Sequence, residues 1–513
     1  MSALKSRINA ATQLAITFSA VSIFFGLFSS AAAIAQQATS FEVTLDSQIA
    51  SEPVSGRLLV FLAKRNPTPI NGPSWFDPEP FFAVDVNDLK PGESITIDET
   101  SDSFPKPLSF IRSGKYNVQA ILNHNFYQAS HANGEGNFYS APSRVEFGNG
   151  PVQLKLNKTI DAETYDDSKW VKFVTVQSKL LSDFHKREVI ERAMVVLPQS
   201  YFDTPEKRYP VYYIVTGFGG TLKQLQQRWK RGQNQTTEDH AEFIRVYLTG
   251  QCKWGHHVYA NSATNGPRGD CLVKETIPQV DKQFRTIPKS TARFVGGHSS
   301  GGWSSLWLQV NYPDTFGGVW STAPDPVDFR DWQGTNIYAE NANVYRDQDG
   351  RQKPLARFGG RVVSYYEEFS KMDDVLGNGG QIRSFDAVFS PKGPDGKPAF
   401  CWDRETGQVN PEVLEHWKKY DIGLILESNW SELKSSLDGK LHVYMGDVDT
   451  FYLEGATKIL GQRLKDLGSN AVIEIFPDKD HRSLLDRSLR NRIASEMTKK
   501  FRQKHPDSSD SDK

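Results

Sequence analysis

A serine flanked by small residues stands at Gly297-His298-Ser299-Ser300-Gly301-Gly302, directly after the apolar run from Phe294 and directly before an amphipathic stretch. G-x-S-x-G in that context predicts a strand, a sharp turn and a helix. Such a turn pushes the Ser299 hydroxyl out at the carboxyl end of a sheet and aims helix N-terminal amides at a developing oxyanion. A serine alone is a poor nucleophile, so a base and an orienting acid must follow. Leu441 to Met445 runs into Gly446-Asp447-Val448-Asp449, and Ala471 to Phe476 runs into Pro477-Asp478-Lys479-Asp480-His481. Each pattern places ionisable residues just beyond the carboxyl end of a strand, the edge where the serine would lie. His481 is the expected base, and His298, adjacent to the serine, points away from it and is expected to pack beside the turn. Asp449 is the expected acid, because the later residue of its loop can carry a carboxylate across to His481 Nδ1. Asp447, next to Gly446, reads as a turn residue, and Asp478 and Asp480 lie too close in sequence to His481 to serve. A second glycine loop, Thr216-Gly217-Phe218-Gly219-Gly220, follows the run Val211 to Val215, so the expected oxyanion donors are the backbone N–H groups of Phe218 and Ser300. It is no phosphate loop: Leu222 stands where G-x-G-x-x-G needs its third glycine.

These groups need a parallel sheet to hold them, and the apolar pattern supplies one. Candidate strands are Val171 to Gln177, Val189 to Leu197, Val211 to Val215, Phe243 to Leu248, Phe294 to Gly297, Gly318 to Ser321, Leu441 to Met445 and Ala471 to Phe476. Helical patterns at Leu272 to Phe284, Gly302 to Tyr312 and Leu453 to Leu467 fall between them. The alternation predicts an α/β domain over residues 165–505 with a mainly parallel sheet covered on both sides. A segment at about 325–440 is too long for one connection and rich in aromatic residues, Trp402 among them; it is expected to form a lid or binding surface, with Trp402 touching substrate. A helix is expected to start at Asn410-Pro411. Ahead of this, residues 36–160 read as short strands between turns, the pattern of an all-β sandwich. No catalytic cluster is visible there, so packing is favoured over carbohydrate binding as its role.

The 513 residues carry 60 Lys+Arg against 61 Asp+Glu, with 38% hydrophobic and 24% charged residues. This is a globular composition with no basic excess, so nucleic acid is not an expected partner. Residues 1–35 read as a secretory signal peptide: Lys5 and Arg7, an apolar run from Leu14 to Leu27, and Ala33-Ile34-Ala35 before Gln36. Interruption by Thr17, Ser19 and Ser22 argues against a membrane anchor, and no stable membrane insertion is expected. The protein is therefore expected to be periplasmic or extracellular, with a polar, disordered tail at 506–513. In that oxidising setting Cys252 and Cys271 either pair or stay as buried thiols beside Cys401. No CxxC or HExxH occurs, and neither a metal nor a cofactor is expected.

The chain resembles a known family at Val196-Leu197-Pro198, Tyr209-Pro210-Val211, the glycine loop, Phe284-Arg285-Thr286, the Ser299 turn and Asp480-His481. Together these are similar to the esterase D-type putative esterase family of the α/β-hydrolase fold, which includes feruloyl and acetylxylan esterases, enterochelin esterases and mycolyltransferases. The resemblance covers about residues 168–325 and 440–500. It implies a metal-free serine hydrolase and leaves the acyl group open. It also agrees with Asp449, since relatives tend to carry the acid about three residues beyond the glycine closing that strand. Thr216 departs from the pattern, because many relatives have His before the glycines. The expectation is thus a carboxylic ester hydrolase acting on a small-molecule ester or acylated carbohydrate. An acyltransferase with the same triad, a secreted peptidase and a non-catalytic binding scaffold are the alternatives.

Overall fold

The computed structural model describes residues 39–125, 127–230, 240–377 and 379–506. The leader expected at 1–35 and the tail from 507 lie outside the described residues. Strands from Phe41–Leu45 to Val152–Thr159 form one nine-stranded sheet. Its pairs are antiparallel except that of Phe41–Leu45 with Val152–Thr159. An all-β sandwich is the expectation for this region; its strands form one continuous sheet, in which Gly114–Asn123 pairs with Ser143–Phe147 along its first half and with Phe138–Ser140 along its second. The sheet curls back on itself, so Phe41 packs on Phe82 at 6.0 Å between ring centroids although several strands separate them in the sheet order.

The continuous apolar run from Leu58 to Ala63, the second part of strand Val54–Ala63, follows from burial on both faces. Successive side chains of a strand point to opposite sides. Leu58, Val60 and Leu62 enter the core enclosed by the curled sheet. Leu59 and Phe61, joined by Phe81, Ala83, Phe104 and Ile121 of neighbouring strands, enter a second core shared with the rest of the chain.

That second core lies against a mixed eight-stranded sheet. Its order is Val171–Gln177, Ile190–Val196, Ile244–Leu248, Val211–Val215, Arg293–His298, Gly318–Thr322, Leu441–Gly446 and Val472–Phe476. The first two pairings are antiparallel and the later ones parallel. Parallel strands bring their carboxyl ends to one edge, and there the Ser299, Asp449 and His481 segments emerge, the last two from neighbouring strands and Ser299 from a strand separated from them by Gly318–Thr322. Helix Ser300–Asn311 is buried along nearly its whole length and on every side. It is wedged between the sheet and the segment after Thr322, where Trp303 packs on Phe389 at 5.3 Å. The helical pattern expected from Leu272 is broken by a π-helical turn at Leu272–Thr276 just before Ile277–Gln283. Pro278 has no N–H to donate to the preceding turn, which accounts for the irregular pitch.

Between Thr322 and Leu441 the chain forms a short hairpin, Pro354–Phe358 with Arg361–Tyr365, and helices Tyr366–Leu376, Gln381–Phe389, Pro411–Trp417 and Ile422–Leu437. The third starts as expected, with the Asn410 side chain accepting from the N–H groups of Glu412 and Val413. Its aromatic residues mostly pack on one another. Trp402 in particular is fully buried, with Tyr366 and Trp417 at 5.7 and 6.0 Å and the Arg404 guanidinium 4.9 Å over its ring. The assignment of Trp402 to substrate binding is therefore corrected: aromatic composition marks a large side chain but not the direction in which it points. Trp402→Ala is expected to lower stability by about 3–5 kcal/mol, the usual cost of emptying a large core site. Denaturant titration at unchanged KM checks this.

Candidate active site

Ser299 sits between strand Arg293–His298 and helix Ser300–Asn311 with φ 62° and ψ −129°. This is a sparsely populated conformation for a residue with a side chain, and such backbone strain concentrates where a group must be presented. The turn is held by Ser299 N–H donating to Thr322 O at 3.0 Å and Trp303 N–H donating to Ser299 O at 3.0 Å. Its glycines serve close approach. A Cβ on Gly297 or Gly301 would run into the carbonyl of Val215 on the neighbouring strand, and one on Gly302 would come within 2.7 Å of Thr322 O.

The glycine loop lies directly over the serine. A Cβ at Gly217 would stand 3.3 Å from Ser299 Cβ and 3.9 Å from its Oγ. The loop is supported from below by His256. Val258 N–H donates to His256 Nδ1 at 3.1 Å, so Nε2 carries the proton and donates to Thr216 O at 3.0 Å. Burial lowers the His256 pKa to about 4, which keeps the ring neutral in this role. Thus an imidazole from another loop braces the backbone at Thr216. Ser300 is the first residue of its helix, so its N–H is among those left without an intrahelical acceptor.

The segments following the last two strands of the sheet are laced together. Asp447 N–H donates to Phe476 O at 3.0 Å and Val448 N–H to Lys479 O at 3.3 Å, extending the parallel pairing beyond Gly446. This brings Asp449 and His481 together: Nδ1 of His481 lies 2.7 Å from Asp449 Oδ2. The other carboxylate oxygen accepts from Phe451 N–H at 2.8 Å, and Arg357 Nε donates to the Asp449 carbonyl at 3.0 Å. Asp449 is 0% exposed and His481 8%. Burial by itself would lower the His481 pKa, but the charge and hydrogen bond of Asp449 outweigh it and hold the pKa above the ordinary histidine value. Asp447 points elsewhere, and its Oδ1 is buried without a hydrogen-bond partner.

His298 packs against His481 with ring centroids 4.6 Å apart and the rings tilted by 48°. Thr322 Oγ1–H is donated to Gly297 O at 2.9 Å, so at 3.0 Å it accepts from His298 Nδ1–H. Burial, with the His481 charge adding to it, pushes the His298 pKa down to about 3. His298 is thus a neutral packing residue beside the turn.

Ser299 and His481 line one cavity of about 290 Å³, together with Gly217, Phe218, Asp325 and several apolar residues. Asp325 and Trp75 are among the lining residues that were not singled out from sequence. Asp325 is buried, accepts from Ser300 Oγ at 2.6 Å, and has its pKa pushed up to about 6 by burial. It follows a strand end as Asp449 does, so the same positional rule pointed to it. Trp75 arrives from the loop between Val54–Ala63 and Phe81–Leu89, and no local pattern marked it. Cys252, Cys271 and Cys401 are separate buried thiols, the first two with pKa values pushed up by burial to about 11 and about 12. Among the described residues no cluster of His, Cys, Asp and Glu has the arrangement of a metal site, and no helix is long and apolar enough to cross a membrane.

Gly446 controls the lacing, because a Cβ there would run into the carbonyl of Lys479. Gly446→Ala is expected to cost about 1–3 kcal/mol of stability. Separating Asp449 from His481 should also lower any activity of the site at least tenfold, which thermal unfolding and initial rates would show.

A family model described as "putative esterase" matches residues 190–422. The matched segment includes Ser299 and the glycine loop and stops before Asp449 and His481. No curated protein matches the chain. Solved structures similar to it include a ferulic acid esterase, with 16% identity, TM-score 0.39, and coverage of 65% of this chain and 99% of that one. The serine hydrolase FphF of Staphylococcus aureus has 14% identity, TM-score 0.38, and coverage of 64% and 98%. An S-formylglutathione hydrolase from Agrobacterium tumefaciens has 11% identity, TM-score 0.37, and coverage of 65% and 98%. At TM-scores below 0.5 these likenesses carry no assignment. The strained Ser299 lies near the middle of the segment that the putative esterase model matches, residues 190–422.

Proposed function

We propose that the protein is an exported serine hydrolase of carboxylic esters, working by a Ser299-His481-Asp449 triad on an α/β-hydrolase domain over residues 165–505. The observation that carries this reading is the buried 2.7 Å His481–Asp449 contact beside a serine held at φ 62° in the same cavity. Ser299 Oγ attacks the ester carbonyl while His481 Nε2 takes its proton, and the proton then passes to the leaving alcohol. Water, activated by the same imidazole, releases the acyl group from Ser299. Asp449 fixes the tautomer that leaves Nε2 free and stabilises the imidazolium. The backbone N–H groups of Phe218 and Ser300 bind the oxyanion, each worth ~3 kcal/mol in the transition state. Export favours an extracellular ester such as an acylated carbohydrate, whose apolar part would enter the cavity.

The test is kcat/KM on a panel of acetyl, longer-chain and aromatic esters across pH. Ser299→Ala is expected to remain folded and lose ~10³-fold or more. In the wild type, activity requires neutral His481, so kcat/KM should fall as pH drops through an inflection above the ordinary histidine value. Asp449→Asn removes the charge that raises this pKa, so the inflection should move to lower pH while kcat falls by orders of magnitude. Asp447→Asn should change little. An unchanged rate in Ser299→Ala, or a flat wild-type profile with chemistry limiting, would remove the reading.

A further inference from the structure

We propose that the N-terminal sheet completes the substrate site through Trp75, which selects esters with a flat apolar group beside the scissile bond. The inference rests on the reading of Ser299 as the nucleophile and adds a specificity-determining residue from outside the segment that matches the esterase family.

Trp75 is partly exposed and lines the cavity that holds Ser299 and His481. Its ring meets three elements of that cavity: Phe218 of the glycine loop at 5.6 Å, Phe369 of helix Tyr366–Leu376 at 5.1 Å, and Phe451 next to the Asp449 loop at 6.3 Å. Phe76 extends the contact, with Phe358 at 5.0 Å and Phe451 at 6.2 Å.

The loop that carries Trp75 is anchored at its base. The Ile70 carbonyl lies 2.8 Å from His131 Nε2, and the His131 ring stacks on Phe61 at 5.2 Å. The sheet behind the loop is tied to the segment after Thr322 by Arg57, whose Nε donates to Val375 O at 2.9 Å. The shared core from Leu59 to Phe104 adds apolar packing. Trp75 is therefore held where it is by the whole N-terminal sheet.

A cavity of about 290 Å³ is at the small end for a ligand pocket, so it suits one compact group and not an extended chain. Aromatic walls favour a planar partner that stacks or meets ring edges. The same ring packing against Phe218 puts Trp75 in contact with the loop whose N–H is the proposed oxyanion donor.

The probe is methyl 2-naphthoate, a flat apolar ester, binding to full-length Ser299→Ala protein, which cannot form an acyl-enzyme. Its Kd is measured by equilibrium dialysis. Adding Trp75→Ala is expected to weaken binding about tenfold, and Trp75→Phe, which keeps a ring, by about threefold or less. Melting temperatures confirm that each variant is folded, and if Trp75→Ala fails to fold, Trp75→Phe and Trp75→Leu carry the comparison with the same ring-dependent difference expected. Absence of binding in the parent, a Kd within twofold of it in Trp75→Ala, or equal weakening whether or not a ring is kept overturns the proposal. Ester turnover by the wild type reads on the hydrolase assignment separately. A wild type without turnover whose Ser299→Ala form binds the probe through Trp75 would sink the hydrolase and leave the binding site.

Discussion

The backbone lacing of the Gly446 and Lys479 segments is the constraint on which the site rests. Neighbouring parallel strands deliver their carboxyl ends to the same edge, but side by side they do not ensure that side chains meet. Two further backbone hydrogen bonds past the strand ends carry the pairing into the loops. Only then does the Asp449 carboxylate reach His481 Nδ1. A carboxylate with no exposure is costly unless its oxygens are occupied, and here the imidazole and Phe451 N–H occupy them. The same pairing decides which imidazole titrates in the useful range: His481 gains a carboxylate and is raised, while His298, packed beside it without a carboxylate bond, is driven down to about 3 by burial.

A second constraint is the burial of Leu58 to Ala63, in strand Val54–Ala63, on both faces. One face belongs to the curled N-terminal sheet and the other to the core around the eight-stranded sheet. The loop from this strand to Phe81–Leu89 is therefore fixed relative to Ser299, even though it precedes the serine by most of the first half of the chain. His256 performs a comparable service for the glycine loop, holding the Thr216 carbonyl from a segment with no chemistry of its own.

The site was legible in the sequence where backbone packing dictates residue type. Gly297, Gly301 and Gly446 are glycines because a Cβ would meet a carbonyl, so their spacing reports the approach of neighbouring chain segments. The inner parallel strands of the second sheet were legible for a related reason: buried parallel strands read as short apolar runs between turns. What was not legible is direction in space. Trp402 and Trp75 are the same residue type in irregular segments, and only the tertiary packing turns the first into a core and the second toward a cavity. The join of the N-terminal layers into one sheet also escaped, because a single strand, Gly114–Asn123, changes partners along its length.

The most direct measurement of the central claim is the position and rate of modification by a fluorophosphonate, which reacts with a serine only when a neighbouring base activates it. The account predicts a single adduct on Ser299, located by peptide mass spectrometry, forming at least a hundredfold more slowly in His481→Ala. No adduct, an adduct on another serine, or an unchanged rate in His481→Ala would contradict it.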